Sequence, residues 1–502
     1  MSLKKNVVAN YLGQAWTGLM GIVFVPLYIK YLGIEAYGLI GVFIFLQAWL
    51  AVLDAGMTPT LNREVARYVA GAHTAESIRN LVFTFEVICA GAALLVILVL
   101  ASSSNWLAHE WFNAQGITQS VVSETLSTMG VVSGLRFFEG LYRGAILGFQ
   151  KHVWLNIATS ILATLRALGA IAVLAWVEPS IQAFFWWQVV ISGVTVVILF
   201  FGVHRQLPNL GSAAIFSTGA LSESWKFAAG ILATTLLTLL ITQVDKVLLS
   251  RLVSLEEFGV YAFSTSVVGV LFQLIGPIAQ AYYPKLTELV TTNNRSLLSK
   301  TYHQGAQLLT IMVTPAGLVL VAFGEPLILA WTGNQILSNQ ASAIVAILAI
   351  GTVFNGWVHM PYMLQLASGW SSFSVWVNFV GAIVLIPAIL WAIPNYGPIG
   401  AAWVWVAINA GYVFFSIPFM HVRLLQKEKF NWYFFDIAIP AGAAGAVVAL
   451  SYFAYHPRGP FLDLIWIGLT GILACIAAIL SASELRAAFL SHLNLFKNSF
   501  VK

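Results

Sequence analysis

Residues 157–177 read Ile-Ala-Thr-Ser-Ile-Leu-Ala-Thr-Leu-Arg-Ala-Leu-Gly-Ala-Ile-Ala-Val-Leu-Ala-Trp-Val, an apolar run holding a single charge, Arg166. Its length matches the roughly 20 residues an α-helix needs to cross a hydrocarbon core of about 30 Å. Lipid offers backbone N–H and C=O groups no partner, so a spanning segment must satisfy them internally. A closed β-barrel would instead show alternating segments of about 10 residues, and this stretch is apolar on both faces. It reads as a transmembrane helix.

The rest of the chain repeats the pattern. Of its 502 residues, 59% are hydrophobic and only 9% charged, against the roughly 25% charged that a water-facing surface requires. Apolar runs place helical spans at 7–30, 36–57, 80–102, 119–148, 154–177, 182–204, 223–250, 258–283, 302–324, 341–365, 372–393, 399–421, 434–454 and 462–481. The expected fold is an all-α integral membrane protein of about 14 spans. Val7 to Ile29 is too long for a signal sequence and lacks a small-residue cleavage site, so it reads as a retained first helix. The two cysteines, Cys89 and Cys475, both lie inside spans and imply no disulfide framework.

Basic residues set the orientation. With the N-terminus inside, 18 of the 24 Lys and Arg residues fall on cytoplasmic segments, among them Lys4, Lys5, Arg63, Arg67, Lys226, Lys285, Lys427, Lys497 and Lys502. Lys30, Arg251 and Arg458 face the other side, while Arg136, Arg166 and Lys246 lie within spans. Both termini are therefore expected in the cytoplasm. The net charge of +5 reports topology, and no nucleic-acid partner is inferred from it. The largest expected external loops, Ser103–Gln119 and Glu325–Gln340, are too short to form a catalytic domain.

An internal repeat is visible at a constant offset between the two halves of the chain. Leu32-Gly33-Ile34-Glu35-Ala36-Tyr37-Gly38-Leu39 overlays Val253-Ser254-Leu255-Glu256-Glu257-Phe258-Gly259-Val260, with Glu35 on Glu256 and an aromatic–Gly pair in register. Coincidence between short turn signals is the alternative. A true repeat of six spans gives two like-oriented lobes about an axis along the membrane normal, around a cavity that opens to alternate sides. The expected division is a six-helix lobe over 1–210, a second over 211–430, and an extra helix pair with a cytoplasmic tail over 431–502. His204 to Ser224 would then link the lobes.

Two groups of residues carry a family resemblance. The first is Asn10, Gly13, Pro26-Leu27-Tyr28, Leu32-Gly33 and Tyr37-Gly38-Leu39, continuing through Leu53-Asp54-Ala55-Gly56, Leu61, Arg63-Glu64 and Ala66. The second is Asp245-Lys246-Val247-Leu248-Leu249, Phe258-Gly259-Val260-Tyr261 and Tyr283-Pro284-Lys285-Leu286. Over residues 6–430 the chain resembles the polysaccharide transporter family, which includes the O-antigen flippases, within the multidrug/oligosaccharidyl-lipid/polysaccharide exporter superfamily. The resemblance implies a non-enzymatic flippase in the bacterial inner membrane. Its cargo would be undecaprenyl-diphosphate-linked oligosaccharide, moved to the outer leaflet by alternating access. It also implies the bilayer, the polyprenyl-diphosphate-linked glycan and polysaccharide polymerase or assembly proteins as partners, a monomeric chain and no cofactor. Many members have twelve spans; the extra pair here is a departure, similar to the lipid II flippases.

Charges inside spans are costly, by about 3 to more than 10 kcal/mol at the bilayer centre, so they face cavities or partners. Arg136, Glu139 and Arg143 share one face of the fourth span, at i, i+3 and i+7. Arg166 lies in the fifth, Glu86 in the third, and Asp245-Lys246 in the seventh. Arg136, Glu139, Arg143, Arg166 and Lys246 are candidates to line a path for a diphosphate, which Arg forks and Lys ammonium groups suit. Glu86, Glu139 and Asp245 are candidates for ion coupling. Equally, these acids and bases can simply neutralise one another. Asp54, beside Gly56, reads first as a helix cap or a contact for Arg63.

The tenth span is polar for its depth, with Asn355, His359, Tyr362 and Gln365 at helical spacing. Such a stripe suits sugar hydroxyls, and it suits interhelical hydrogen bonding equally well. Pro361 and Pro277 mark bends, whether hinges or static kinks. No phosphate-binding loop, metal-ligand spacing or nucleophile elbow is present. Three rival functions stay open: a lipid II flippase, a cation-coupled drug antiporter of the same superfamily, and a membrane polysaccharide polymerase or ligase. The antiporters typically carry an acid in the first helix, and none lies between Val7 and Ile29.

Overall fold

A computed structural model describes residues 3–50, 52–54, 56–208, 214–217, 236 and 238–486, with side chains from Asn10 onward, Tyr11 excepted. Lys226, Lys497, Lys502, the start of the expected seventh span and most of the expected linker lie outside these residues, as do the side chains of Lys4 and Lys5.

The chain is helical along its described length. The helices are α1 (Leu3–Val23), α2 (Val25–Leu32), α3 (Ile34–Leu50), α4 (Met57–Val69), α5 (Ala75–Trp106), α6 (Gln119–Gly148), α7 (His152–Trp176) and α8 (Ile181–His204). They continue with α9 at 238–252, α10 (Leu255–Thr291), α11 (Arg295–Thr332), α12 (Gln335–Ala367), α13 (Ser371–Gly411), α14 (Ile417–Leu424), α15 (Lys429–Asn431), α16 (Ile439–Phe453) and α17 (Pro460–Ser481). Ten described helical stretches are long and apolar enough to cross a membrane. One of them, Ser371–Leu424, carries the two expected spans at 372–393 and 399–421. The other three expected spans fall on α3, α6 and α9, which are short, charged or partly outside the described residues. The fourteen-span reading is thus accommodated.

Two differences from the expected spans have local causes. α4 occupies what reads as a loop: its 13 residues are too few to span, and three of them, Arg63, Glu64 and Arg67, are charged. Gly56, at φ 76°, makes the left-handed turn into it, a conformation costly for a side chain with a Cβ. The external loops are also shorter than expected. A π-helical turn at Leu107–Trp111 carries α5 onward, and α11 reaches Thr332, three residues before α12 begins. The sharp backbone breaks fall at Phe323 (φ −122°) and Gly397 (φ 58°), each near prolines, which cannot donate to the helical ladder.

The chain forms two compact units, Met1–Gly259 and Val260–Lys502. The first includes α9 and the start of α10. Contacts within that unit hold α9 there. The Leu255 N–H donates to the Asn113 carbonyl at 2.9 Å, and Trp111 Nε1 donates to Ser250 Oγ at 3.1 Å.

The repeat has a structural counterpart. α3 starts at Ile34 and α10 at Leu255, the two positions that the repeat overlays. A Cβ on Gly38 would sit 2.6 Å from the Leu255 carbonyl oxygen, and one on Gly259 would meet the Ile34 carbonyl oxygen. Gly38 and Gly259 are likewise equivalent in the overlay, so each repeat presents its glycine to the other's helix start.

Motif residues also serve packing. Asn156 of α7 donates to Asn10 of α1 at 2.6 Å, beside Gly13. Glu35 accepts from the backbone N–H groups of Gln115 and Gly116 at 2.6 and 2.8 Å. In the second unit, Ala444, Ala474 and Ala478 of α16 and α17 pack with Ile311, Val319 and Phe323 of α11. Small residues allow such close approach where lipid supplies no hydrophobic drive between helices.

Candidate functional site

α7 shows how the sequence aims a charge inward. Ile157, Ile161, Leu165 and Leu168 are exposed along one stripe, whereas Leu162, Ala170 and Leu174 are buried along another. Arg166 falls at four-residue spacing within the buried stripe, so its guanidinium points into the bundle.

There it meets a cavity of about 340 Å³ lined by Thr17, Tyr28, Phe43, Gln47, Arg136, Arg166 and Gln188 with apolar neighbours. A second cavity of about 370 Å³ is bounded by Gln47, Asp54, Thr58, Ser133, Arg136 and Gly140. Arg136 and Gln47 belong to both. Each volume lies in the range of small-molecule sites.

The charges are unevenly matched. Arg166 Nη2 donates to Glu139 Oε1 at 3.0 Å and lies 3.4 Å from Ser192 Oγ. The Arg136 guanidinium carbon stands 5.0 Å from the Phe43 ring centre, and its buried Nε has no hydrogen-bond partner among the described residues. Gln47 Nε2 donates to Ser133 Oγ at 2.6 Å, fixing the amide beside Arg136. Such a site offers two guanidiniums, two amides and a phenol, a donor set suited to an anionic, hydroxyl-rich ligand.

The other expected residues are dispersed. Arg143 is exposed, outside the residues lining either cavity. Glu86 accepts from Tyr142 Oη at 3.0 Å and lies 3.6 Å from His204 Nε2. Lys246 Nζ donates to the Thr242 carbonyl at 2.8 Å and stands 3.2 Å from the Asp245 carboxylate. Asp54 caps α4, accepting from Thr58 N and Oγ1, while Arg63 lies 3.5 Å from Glu64.

In the second unit, Asn355 Nδ2 donates to Asn409 Oδ1 at 2.8 Å, and Gln365 Oε1 accepts from Ser374 Oγ at 2.7 Å. His359 Nδ1 bonds the Asn355 carbonyl at 2.8 Å, and Tyr362 is 36% exposed. The stripe thus divides between interhelical bonds and an open edge.

Sequence reasoning missed Gln47, Gln188, Tyr28 and Thr17 as lining residues. Gln47 within the second expected span and Gln188 within the sixth were the available signal. It also missed a buried set around His303 and Asp436, described below.

An α-helical bundle whose membrane-length helices enclose a hollow bearing two guanidiniums defines a class, the multi-pass membrane transporters. Solved structures agree on the fold. The lipid II flippase MurJ in an inward closed conformation superposes with a TM-score of 0.68 at 13% identity, covering 94% of this chain and 97% of that one. An inward-facing multidrug resistance MATE family transporter of the MOP superfamily gives 0.65 at 13% identity, covering 81% and 94%. The chain belongs to the polysaccharide biosynthesis protein family, whose sequence model matches residues 30–340. A relative described as "Putative O-antigen transporter", from Shigella flexneri, is 21% identical over 413 residues, 81% of this chain and 94% of its own length.

Proposed function

We propose that this protein is a flippase that carries an undecaprenyl-diphosphate-linked oligosaccharide, an O-antigen or other surface-polysaccharide repeat unit, across the bacterial inner membrane by alternating access. It does so as a transporter and not an enzyme, with both termini in the cytoplasm. The observation that carries this reading is Arg136, a guanidinium shared by two cavities, with a buried Nε that has no hydrogen-bond partner among the described residues. A diphosphate is the anion such a site would draw into low dielectric. Gln47, Gln188 and Tyr28 supply donors and acceptors for sugar hydroxyls. Family membership and the name of the Shigella relative support the substrate class.

Expression in a strain whose own O-antigen flippase is deleted tests the reading, with surface polysaccharide read by gel. Restored long-chain polysaccharide is expected. Drug resistance without any glycan phenotype would overturn it in favour of an antiporter.

A further inference from the structure

The second unit buries a charged set that the transport path above does not use. His303 of α11 has Nδ1 2.5 Å from Asp436 Oδ2 and Nε2 3.2 Å from Glu428 Oε2. Gln307, one turn along α11, donates to Asp436 Oδ1 at 2.9 Å. Its Oε1 accepts from the backbone N–H groups of Glu484 and Leu485 at 3.0 and 3.2 Å. Asp436 sits in a π-helical stretch, Trp432–Ala438, just before α16. One side-chain cluster therefore ties α11 to both ends of the C-terminal helix pair. π-helical stretches recur at functional positions because they turn a side chain out of α-helical register.

The neighbouring histidine gives the contrast. His421 Nδ1 faces the Ile417 carbonyl at 3.0 Å, and its Nε2 faces Tyr302 Oη at 3.1 Å. A neutral ring satisfies both, donating to the carbonyl and accepting from the phenol. His303 has a carboxylate at each nitrogen, and carboxylates only accept. A neutral ring would turn one lone pair toward a carboxylate; an imidazolium donates to both.

We propose that His303, Asp436 and Glu428 form a proton-binding site whose loading fastens the C-terminal helix pair to α11. Binding adds one proton to the ring and takes the set from two net negative charges to one. The proton enters past Glu428, whose side chain is 25% exposed while that of Asp436 is 1% exposed. The remaining titratable groups facing the set are Tyr302 on α11, His421 on α14, Lys429 on α15, Tyr433 in the π-helical stretch and Glu484 beyond α17. On proton loss one carboxylate faces a lone pair, and the hold on residues 432–438 and 484–485 slackens.

The full chain, labelled with ¹⁵N-histidine and held in lipid nanodiscs, tests the site by the ring-nitrogen shifts, with His303→Gln identifying the signal. The expected result is an imidazolium at pH 7.5 that becomes neutral at the same pH in Asp436→Asn or Glu428→Gln. Should Asp436→Asn fail to fold, the rim variant Glu428→Gln gives the same reading alone. A neutral His303 in the wild type, or a ring state indifferent to the folded variants, overturns the site. Hydrogen exchange on the wild type tests the fastening. Protection over 432–438, corrected for intrinsic rates, should fall about tenfold as His303 loses its proton. Unchanged protection across that titration overturns the fastening.

Discussion

Arg166 on α7 holds the Glu139 carboxylate of α6 at 3.0 Å, so that Arg136, one turn before Glu139, does not share in that direct contact. Arg136 stands instead across a cavity from the Asp54 carboxylate, with no direct contact between them. Glu86 lies with Tyr142 and His204, and Asp54 is occupied capping α4.

This difference between the two arginines predicts a ranking. Arg136→Ala should lower surface-polysaccharide export about tenfold to a hundredfold, the worth of a lost charge-assisted bond of about 1.5–3 kcal/mol. Arg136→Lys should recover part of it, because an ammonium keeps the charge and loses the fork. Arg166→Ala should cost protein level as well as export, since it strands Glu139. Export and membrane abundance measured together check the ranking; undiminished export in Arg136→Ala would remove Arg136 from the path.

Much of this was legible in the sequence. A lone arginine within the apolar run at 157–177 declares both a span and an inward face, because hydrocarbon tolerates neither open backbone nor stray charge. The pairing of Arg166 with Glu139 was not legible: it depends on how α6 and α7 are rotated against each other, and helical periodicity within one element says nothing of that. The same holds more strongly for His303 and Asp436, which are 133 residues apart and brought together by a π-helical stretch that local composition does not announce. α4 was not legible as a helix, because its short mixed stretch offers no apolar run of about 20 residues. The glycine repeat at 38 and 259 was visible as a pattern, but its meaning, two helix starts in mutual contact, needed coordinates.

That contact predicts coupled energetics. Gly38→Ala and Gly259→Ala each force a methyl against a carbonyl, and overpacking costs about 1–3 kcal/mol. Thermal melting in nanodiscs should fall for each, and the double variant should fall by less than the sum, because both open the same contact. Gly91→Ala, where the added methyl meets nothing within 4 Å, is the control and should melt at or slightly above wild type. Additive losses would show the two glycines acting separately.

Glu428 predicts a pH response outside the membrane segments. Partial burial raises its carboxyl, but hydrogen bonds from Asn431 and Ser299 and the His303 imidazole outweigh this and hold it below the usual carboxylate range. A depressed folded value stabilises the protein at pH values above the unfolded carboxyl's, near about 4.3. That contribution is lost as pH falls through the folded value. Melting temperature should therefore hold from pH 7 to about 5 and drop below, with Glu428→Gln flattening the acid side. An acid limb of equal steepness in Glu428→Gln would assign the loss to other groups.

The adjacent pair Asp245 and Lys246 separates charge balance from cargo contact. Lys246 Nζ stands 3.2 Å from Asp245 and is 21% exposed, and the pair lies inside α9. Lys246→Ala takes the ammonium away from a half-buried carboxylate, which loses one favourable partner. Its membrane abundance should therefore fall. Replacing both residues, Asp245→Asn with Lys246→Gln, removes the imbalance and should restore abundance to near wild type. Export in that double variant then decides the role. If Lys246 serves only to balance Asp245, polysaccharide export returns with the protein. If the ammonium meets the diphosphate, abundance recovers while export stays reduced, because no charge remains at that turn of α9 to meet the anion.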